Sequence, residues 1–430
     1  MLQAVPEDLF TPDAKLVVAL SGGLDSTVLL HLMVQWQQQH PQASLRALHV
    51  HHGLSANADS WAQHCLSLCQ QWQIAGEVLK VEVDGRAQGI EAAARQARYA
   101  AMIAALNPDE ILLTAQHQDD QCETLLLALK RGSGPAGLAA MPQRMRLAGH
   151  PLVRPLLDCS RQQLEAYAEQ WQLRWIEDES NQDTRYDRNF LRQCILPQLQ
   201  QRWPQFAATV SRSAALCGEQ EQLLDELLTE QLAALIQPDG SLLFTSLLTM
   251  SEARRNALLR RWVASQGGEM PSRAALSRIT HEVMLSREDA QPRLQLGRYE
   301  IRRFRQQLWW LPLQPSLRDE VLFWPDQRTA LVLPSGLGCL ITGQQPEIRR
   351  PESDEVVSVR FQAQGHFHLL GRSGGREMKK LWQEMNIPPW QRERVPLIYY
   401  NQTLICAPGL FVTREGAANA LSGWQAIWKK

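Results

Sequence analysis

A strand, a glycine-rich turn and a helix follow one another near the start of this chain, and this arrangement constrains the fold most. The apolar run Leu16–Leu20 predicts a buried parallel strand, and the turn Ser-Gly-Gly-Leu-Asp-Ser (residues 21–26) follows it. The next apolar residues have helical spacing: Val28, Leu29, Leu32, Met33 and Trp36. Such a turn aims free backbone N–H groups and a helix dipole at an anion, so it favours a phosphate site over a simple tight turn.

The residues of the turn indicate which kind of phosphate loop this is. A Walker A loop needs a lysine after its last glycine, but the chain has only seven lysines and none follows a glycine. Asp25 lies inside the turn instead, where a carboxylate could hold Mg²⁺ against phosphates. The turn resembles the PP-loop of ATP pyrophosphatases, which split ATP between the α- and β-phosphates. It therefore fits that class better than a kinase or a GTPase.

Composition sets broad limits on the class of protein. The 430 residues, 44% of them hydrophobic, are enough for two or three domains with cores, and the net charge of −1 excludes a globally basic nucleic-acid binder. The eight cysteines form no Cys-x-x-Cys motif, which predicts buried thiols in a reducing compartment. No apolar stretch approaches the roughly 20 residues of a membrane span, so a cytoplasmic protein without membrane contact is expected.

Strand and helix patterns alternate over about the first 213 residues, which predicts an α/β fold with a doubly wound parallel sheet. Ligands of such sheets bind at the carboxyl ends of the strands. Three polar segments lie at the ends of predicted strands: residues 21–26, His49–Leu54 and Gln116–Glu123. A fourth, Arg131–Gly137, follows the helix that comes after the fourth strand. We expect these segments to form one site.

Changes in pattern predict four regions along the chain. Residues 1–213 form the PP-loop catalytic domain, and residues 214–313 form a helical, arginine-rich domain. Residues 314–350 form a linker with short strands, and residues 351–430 form a small α+β domain.

Two further segments of the first region carry charged side chains with possible chemical roles. Glu91, Arg95 and Arg98 share one helix face, which is either a solvated surface or the source of an arginine for an ATP phosphate. Asp119, Asp120 and Glu123 lie at the start of another helix, where carboxylates ordinarily act as caps. Three carboxylates beside a polyphosphate would repel it unless Mg²⁺ or a cationic substrate lay between them, so a functional role is favoured.

The histidines of the segment His-Val-His-His-Gly-Leu (residues 49–54) could suggest a metal site. His49 and His51 would share one face of a strand and His52 would lie on the other, and no nearby cysteine completes a ligand set. A strand end that contacts a nucleotide is therefore favoured over a metal site.

Basic residues in two segments suit an RNA partner. Arg188, Asn189 and Arg192 lie in a segment of mixed arginines and aromatics, which could equally be a surface loop that leads into a helix. Residues 374–385 predict an amphipathic helix that presents Arg376, Lys379 and Lys380 on one face, with two glycines at its N-terminus. A basic helix face favours an RNA backbone as its partner.

Together these segments resemble tRNA(Ile)-lysidine synthetases. The resemblance rests on seven segments in the order of that family: SGGLDS, HVHHGL, EAAARQARY, TAQHQDDQCET, KRGSG, SNQDTRYDRNFLR and GGREMKKLWQEMNIPPWQRERVPLIYY. One departure is Gln116, where the family usually has a second histidine beside His117.

The resemblance implies a two-step ligation. ATP would adenylate the carbon-2 oxygen of the wobble cytidine in a tRNA(Ile) that reads CAU, and the ε-amine of free L-lysine would then displace AMP to give lysidine. The modified tRNA would read AUA instead of AUG. The expected partners are thus that tRNA, lysine, ATP and Mg²⁺, and a homodimer is an open alternative. The regions 214–313 and 351–430 would contact the tRNA.

The same resemblance suggests roles for individual residues. ATP would be bound by Ser21, Gly22, Gly23, Leu24, Asp25, Ser26, His49 and His117. Asp25 would hold Mg²⁺, and Arg95 would offset charge at the α-phosphate. Lysine's amine has a pKa of about 10.4, so Asp120 and Glu123 would bind the ammonium group and accept its proton.

Three other functions are weaker alternatives. A PP-loop enzyme for sulfur transfer commonly needs paired cysteines, which this chain lacks. A PP-loop amidotransferase would need a glutaminase, and no nucleophile motif for one is present. A non-catalytic tRNA-binding protein would not need an intact phosphate loop with its carboxylates.

Overall fold

The computed structural model describes residues 9–53, 55–83, 90–287, 290–418 and 423–430. The chain forms two compact units, Met1–Leu227 and Leu228–Lys430. The four-part division inferred from the sequence is finer than this and stays a prediction.

The first unit contains alternating strands and helices. Its strands are β1 (Lys15–Ala19), β2 (Ser44–His51), β3 (Ala75–Lys80), β4 (Glu110–Leu113), β5 (Arg144–Leu147) and β6 (His150–Val153). Its helices are α1 (Leu24–Gln39), α2 (Ala58–Gln71), α3 (Ile90–Ala105), α4 (Gln118–Lys130), α5 (Pro135–Leu138), α6 (Arg161–Gln170), α7 (Asp187–Phe190) and α8 (Leu196–Arg202). A 3₁₀ turn covers Glu179–Gln182, a π-helical turn (Leu191–Ile195) joins α7 to α8, and α9 (Phe206–Leu235) crosses the division between the units.

The strands of the first unit form one sheet in the order β3-β2-β1-β4-β6-β5. All neighbours are parallel except β5, which pairs antiparallel with β6. The chain proceeds outward from β1 to β3 and then returns to β4 on the other side of β1. This reversal creates the crevice at the carboxyl ends of β1 and β4 where sheets of this type bind ligands.

Successive residues of β1 pack on opposite faces of the sheet. Leu16 and Val18 lie in a core cluster with residues of α1 and α6, whereas Val17 packs with Met102 of α3. The predicted apolar face of α1 is buried on the sheet at all five positions: Val28, Leu29, Leu32, Met33 and Trp36. Helices therefore cover both faces, and the predicted doubly wound sheet is confirmed.

The second unit begins within α9 and contains more strands than helices. Its strands are β7 (Leu242–Leu243), β8 (Arg293–Leu296), β9 (Tyr299–Phe304), β10 (Gln307–Pro312), β11 (Val321–Phe323), β12 (Leu331–Val332), β13 (Cys339–Ile348), β14 (Val357–Arg360), β15 (His366–Phe367), β16 (Arg376–Glu377), β17 (Leu397–Tyr400), β18 (Thr403–Ala407), β19 (Phe411–Val412) and β20 (Trp424–Lys429). Its further helices are α10 (Glu252–Ser265), α11 (Arg273–Arg278), α12 (Met378–Glu384) and α13 (Pro389–Arg392), with a 3₁₀ turn at Ser246–Thr249 and a π-helical turn at Ile279–Met284.

The predicted helical middle region is confirmed by α9, α10 and α11, but it also contains a sheet that the helical pattern did not predict. Strands β7, β10, β9 and β8 form an antiparallel sheet in that order. Leu294, Ile301 and Leu308 project from this sheet into a core that also holds Trp262 of α10. The alternation of these apolar residues with arginines and glutamines has a period of two, which a strand requires.

The C-terminal part has the predicted mixture of strands and short helices, with one correction. The basic helix begins at Met378 rather than at the glycine pair, because Arg376 and Glu377 pair with His366 and Phe367 as strands β16 and β15. Arg376 therefore does not share a helix face with Lys379 and Lys380. Cross-strand pairing overrides the weak local preference for helix at these residues.

The eight cysteines are all unpaired thiols, and Cys65, Cys69, Cys122 and Cys406 are buried. None of the described helices combines the length and the apolar character that a membrane span requires.

Candidate active site

A serine hydroxyl organises the turn between β1 and α1. The N–H groups of Ser21 and Gly22 both donate to the Ser26 Oγ, each at 3.2 Å, and the Ser26 hydroxyl donates to the Gly23 carbonyl at 3.1 Å. Gly23 is the N-cap of α1 and makes no side-chain capping bond. Two N–H groups thus converge on one oxygen at a helix N-terminus, which is the geometry that binds a phosphate oxygen.

Gly22 has a conformation and a packing environment that require glycine. Its φ angle is +88°, and a Cβ atom there would lie 3.0 Å from the Cys65 Sγ and 3.1 Å from the Ile176 Cδ1. The Gly22 carbonyl also accepts a hydrogen bond from the Ile176 N–H at 2.9 Å. Contacts with Cys65 and Ile176 therefore hold the turn in place and leave no room for a larger residue at position 22.

Asp25 lies in the first turn of α1, and its carboxylate is paired. The Arg161 Nη1 lies 3.0 Å from Asp25 Oδ1, and the Arg161 Nε donates to Glu165 at 2.9 Å. Burial raises the pKa of Asp25, while His117 and Arg161 oppose that rise. Arg161 was not foreseen from the sequence, because 136 residues separate it from Asp25.

His117 caps α4 and fixes its own tautomer. Its Nδ1 accepts the Asp119 N–H at 3.2 Å, and its backbone N–H donates to the Asp120 Oδ2 at 3.0 Å. The neutral ring therefore carries its proton on Nε2, which lies 3.7 Å from Asp25 and 3.5 Å from Asp120. His117 thus links the phosphate turn to the carboxylates of α4.

Arg192 joins the two α4 carboxylates. Its Nε lies 2.7 Å from the Glu123 Oε1, and its Nη2 lies 3.0 Å from the Glu123 Oε2 and 2.9 Å from the Asp120 Oδ1. Arg192 lies in the π-helical turn after α7, and such turns often occur at functional sites. The contact of Arg192 with tRNA stays a prediction, and in the structure its guanidinium lies between the two carboxylates.

The Glu123 side chain has no exposed surface, and burial raises its pKa against the opposing effect of Arg192. Arg188 approaches the same carboxylate, with its Nε 3.7 Å from Oε2. A direct contact of Glu123 with lysine stays a prediction that requires Arg192 to move. The sequence held one signal that could have indicated this network. Arg188 and Arg192 are four residues apart, and Asp120 and Glu123 are three residues apart, so each pair can lie on one face of a helix.

A cavity of about 330 Å³ opens at the carboxyl ends of β1, β2 and β4. The site residues predicted from sequence that line it are Ser21, Asp25, Ser26, His49, Arg95, Asp120, Arg188 and Arg192. The predicted residues outside the lining are Gly22, Gly23, Leu24, His117, Glu123 and Asn189. Two of them contact residues of the lining: His117 contacts Asp25, and Glu123 contacts Arg192. The structure therefore gathers most of the predicted first-unit residues around one cavity.

His49 presents a hydrogen-bond acceptor at the end of β2. Its Nδ1 lies 2.9 Å from the Leu20 carbonyl, to which it donates, so its Nε2 is free to accept. Burial lowers the pKa of His49 and favours this neutral form. Leu54, at the end of the same predicted segment, lies outside the described residues.

Gln116, which replaces the expected histidine, is held by two donors. Its Oε1 accepts the Thr114 hydroxyl at 2.5 Å and the Arg154 Nε at 3.2 Å. Arg154 is buried and also donates to the Pro142 carbonyl at 2.6 Å. Because its oxygen is occupied, Gln116 can offer only its N–H₂ group to a molecule in the cavity.

Arg95 lies on the cavity wall formed by α3, with its guanidinium 5.2 Å from the centre of the Tyr99 ring. Arg98 lines the same wall. The side chain of Glu91, predicted on this face, lies outside the described residues. These two arginines place positive charge in the cavity that Ser21 and Ser26 of the phosphate turn also line.

The other predicted tRNA contacts differ in how free they are. The Asn189 Nδ2 donates to the Asp183 carbonyl at 3.0 Å. In the second unit, Lys379 and Lys380 are exposed on α12, whereas Arg376 lies 3.7 Å from Glu384.

Within the described part of the chain, no three His, Cys, Asp or Glu side chains cluster as ligands of a resident metal ion. Magnesium ions that accompany nucleotides need only one or two carboxylates, since phosphates and water supply the other ligands. Asp25 fits this requirement because its carboxylate lines the cavity beside the phosphate turn.

Three family models match the chain. They are described as the PP-loop domain over residues 2–199, the TilS substrate binding domain over residues 242–309 and the TilS substrate C-terminal domain over residues 357–428.

Relatives of known name match nearly the whole chain. A tRNA(Ile)-lysidine synthase of Serratia proteamaculans is 58% identical over 96% of this chain and 95% of its own length. One of Shigella flexneri is 55% identical over 97% of this chain and 96% of its own length. Among solved structures, the U34-tRNA thiolase NcsA from Methanococcus maripaludis is 16% identical with a TM-score of 0.43, over 49% of this chain and 74% of that one. That likeness is too distant to bear on function.

Proposed function

This chain belongs to the tRNA(Ile)-lysidine synthase family, and from that membership and its active site we infer that it makes lysidine. It uses ATP to adenylate the carbon-2 oxygen of the wobble cytidine in the CAU anticodon of tRNA(Ile). The ε-amine of free lysine then forms a bond to carbon 2, the bond from carbon 2 to the adenylated oxygen breaks, and AMP leaves. The product reads AUA instead of AUG.

In the first step, the cytidine oxygen attacks the α-phosphorus and pyrophosphate departs. The N–H groups of Ser21 and Gly22 converge where a phosphate oxygen would replace the Ser26 hydroxyl. Arg95 lines the same cavity and offsets the negative charge that develops at the α-phosphate. His49 Nε2 is placed to accept a hydrogen bond from a base or ribose at the end of β2.

Asp25 would hold Mg²⁺ at this site, and the ion would neutralise charge on the departing pyrophosphate. Binding of the ion would compete with Arg161 for the Asp25 carboxylate, since the guanidinium lies 3.0 Å from it.

In the second step, lysine must lose a proton before its amine can attack carbon 2. Asp120 is the carboxylate of α4 that lines the cavity, so it binds the ammonium group and accepts this proton. Glu123 supports Asp120 through Arg192, which contacts both carboxylates. Arg188 lines the cavity, and Asn189 follows it in α7. Both would contact the anticodon loop, and Arg192 would also contact it if it left the carboxylates.

One observation supports this proposal most strongly. A single cavity contains the phosphate turn, the Asp25 carboxylate, the Asp120–Arg192 pair and the basic wall of α3. Adenylation and amine attack need these groups around the same reacting carbon, because the adenylated cytidine has to stay in place between the two steps.

Exchange of labelled pyrophosphate into ATP tests the order of the two steps. If cytidine is adenylated first, exchange requires tRNA(Ile) and proceeds without lysine. Exchange that requires lysine but not tRNA would contradict the proposal, because it would mean that the amino acid is the group adenylated.

Gly22→Ala will raise the KM for ATP about tenfold, because a left-handed φ costs an alanine about 1–2 kcal/mol and the turn must shift. Steady-state kinetics at saturating tRNA and lysine measure this change. Gly149→Ala is the matched control, since Gly149 has a φ of +90° and open space around it in the β5–β6 turn. Equal KM values for the two variants would show that the Gly22 turn does not bind ATP.

Asp120→Asn will leave ATP binding nearly intact but will lower lysine incorporation at least tenfold, roughly the effect of losing a general base. The asparagine Oδ1 can still cap α4, but it cannot accept a proton from lysine. Adenylated tRNA formed by the enzyme and then mixed with labelled lysine isolates this step. Asp119→Asn removes a neighbouring carboxylate in the same helical turn and is the comparison variant. Unchanged lysine incorporation by folded Asp120→Asn would overturn the assignment of Asp120 as the proton acceptor.

A further inference from the structure

The second unit contains a cavity of about 620 Å³ that the lysidine reaction does not use. It lies between the β9–β10 hairpin and residues 386–391, and its walls combine aromatic rings with amide side chains. The hairpin carries Phe304, Gln306, Gln307 and Trp309. The segment opposite supplies Asn386, Pro388 and Gln391.

The aromatic wall continues on the outer face of the sheet. Leu308 and Ile301 point into the core, so Trp309 and its cross-strand partner Arg302 point to the other face. Trp390 packs on this face, and the centres of the Trp390 and Trp309 rings are 5.5 Å apart. The Arg302 guanidinium lies 5.8 Å from the centre of the Trp390 ring. Aromatic faces beside arginines form the surfaces on which unpaired RNA bases stack.

Two indole groups of this cluster lack hydrogen-bond acceptors. The Nε1 atoms of Trp309 and Trp390 are buried and have no partner among the described residues. A buried N–H group without an acceptor is rare in folded proteins and needs a specific explanation. Of the two rings only Trp309 lines the cavity, so an acceptor atom of a ligand there would reach its Nε1 only after the ring moved.

The rim of the cavity suits the edge of a nucleobase. The amides of Gln306, Gln307 and Gln391 each offer donors and an acceptor, and the Asp239 carboxylate adds an acceptor for an exocyclic amine. Arg305 also lines the cavity; its Nη2 donates to the Asn386 Oδ1, and its charge and remaining N–H groups suit a phosphate. An apolar peptide would leave the three glutamine amides unpaired, so an RNA nucleotide fits better.

We propose that this cavity binds one unpaired nucleotide of the tRNA, outside the anticodon that the first unit modifies. The base stacks on Trp309 and Phe304, and its edge is bound by the amides of the rim. The proposal rests on the proposed function because it takes the tRNA substrate as the ligand. It is consistent with the match of residues 242–309 to a substrate binding domain.

Chemical probing of the tRNA 2′-hydroxyl groups, with and without the intact enzyme, tests the proposal. We expect protection of one unpaired nucleotide outside the anticodon by the wild type and by Trp309→Phe, which keeps a ring. Trp309→Ala will lose this protection and bind tRNA roughly 5- to 150-fold more weakly, the range for loss of one stacked base. Phe323→Ala removes an exposed aromatic ring of the same unit away from the cavity and should behave as wild type.

Gln306→Ala and Gln391→Ala provide a second test that does not depend on the aromatic core, because both side chains are exposed. Each variant should weaken the same protection without lowering the melting temperature. Unchanged protection in folded Trp309→Ala and in both glutamine variants would overturn the proposal and leave a protein ligand for the cavity. If the wild-type enzyme protects this nucleotide but incorporates no lysine into the tRNA, the proposed function is refuted and the nucleotide-binding site is not.

Discussion

Arg192→Met is expected to lower lysine incorporation about a hundredfold or more, the scale seen when a preorganised charged group is removed from an active site. Arg192 makes hydrogen bonds of 2.7, 3.0 and 2.9 Å to Glu123 and Asp120, and the Glu123 side chain has no exposed surface. Without the guanidinium, the pKa of Glu123 rises further, and the two carboxylates lose the group that holds them in place. The loss also lowers stability, but by less than the roughly 3–5 kcal/mol of a fully buried pair, because the Arg192 side chain is 36% exposed.

Two further variants separate the catalytic effect from the loss of stability. Arg188→Met removes the neighbouring arginine, whose Nε lies 3.7 Å from Glu123, and should have a much smaller effect on melting temperature. The double variant Arg192→Met, Glu123→Gln removes the buried Glu123 charge together with its partner and should regain melting temperature but not activity. Full incorporation by Arg192→Met, or by the double variant, would show that this network is only structural.

Asp25→Asn is expected to lower tRNA-dependent pyrophosphate exchange about a hundredfold, because an amide is a much poorer ligand for Mg²⁺ than a carboxylate. The affinity for tRNA should not change. Because burial raises the pKa of Asp25, exchange by the wild type should also fall on acidification at a higher pH than an ordinary aspartate would give. Below that pKa the carboxyl group is neutral, so the loss occurs on the acid side.

Glu165→Gln is the control for the Asp25 prediction. Glu165 is the second carboxylate bound by Arg161, with a distance of 2.9 Å, and it lies outside the lining of the cavity. Its replacement perturbs Arg161 but leaves the Asp25 carboxylate in place. A loss of exchange in Glu165→Gln as large as that in Asp25→Asn would assign the effect to Arg161 and not to metal binding.

The parts of this fold that the sequence predicted are those fixed by local pattern. The turn at residues 21–26 and the apolar face of α1 depend on neighbouring residues, and both appear as expected. Alternation of strands and helices was sufficient to predict the parallel sheet and the edge where the site lies. Local spacing was not sufficient at residues 293–312 and at Arg376, where pairing between strands overrode a helical pattern.

The parts of the site that the sequence did not predict depend on contacts between distant segments. Arg192 lies 69 residues from Glu123, Arg161 lies 136 residues from Asp25, and Arg154 lies 38 residues from Gln116. Arginine is common on surfaces, so no single-residue signal separates a paired arginine from a free one. Only the fold shows that these three side chains neutralise or orient groups around the cavity.

Incorporation of labelled lysine into a panel of purified tRNAs, with and without ATP, is the direct test of lysidine synthesis by this protein. We expect labelling that requires ATP, that is confined to the CAU-reading isoleucine tRNA, and that yields one AMP and one pyrophosphate for each lysine. Cleavage of ATP to AMP and pyrophosphate without any labelled tRNA, or equal labelling of a methionine tRNA with the same anticodon, would contradict it.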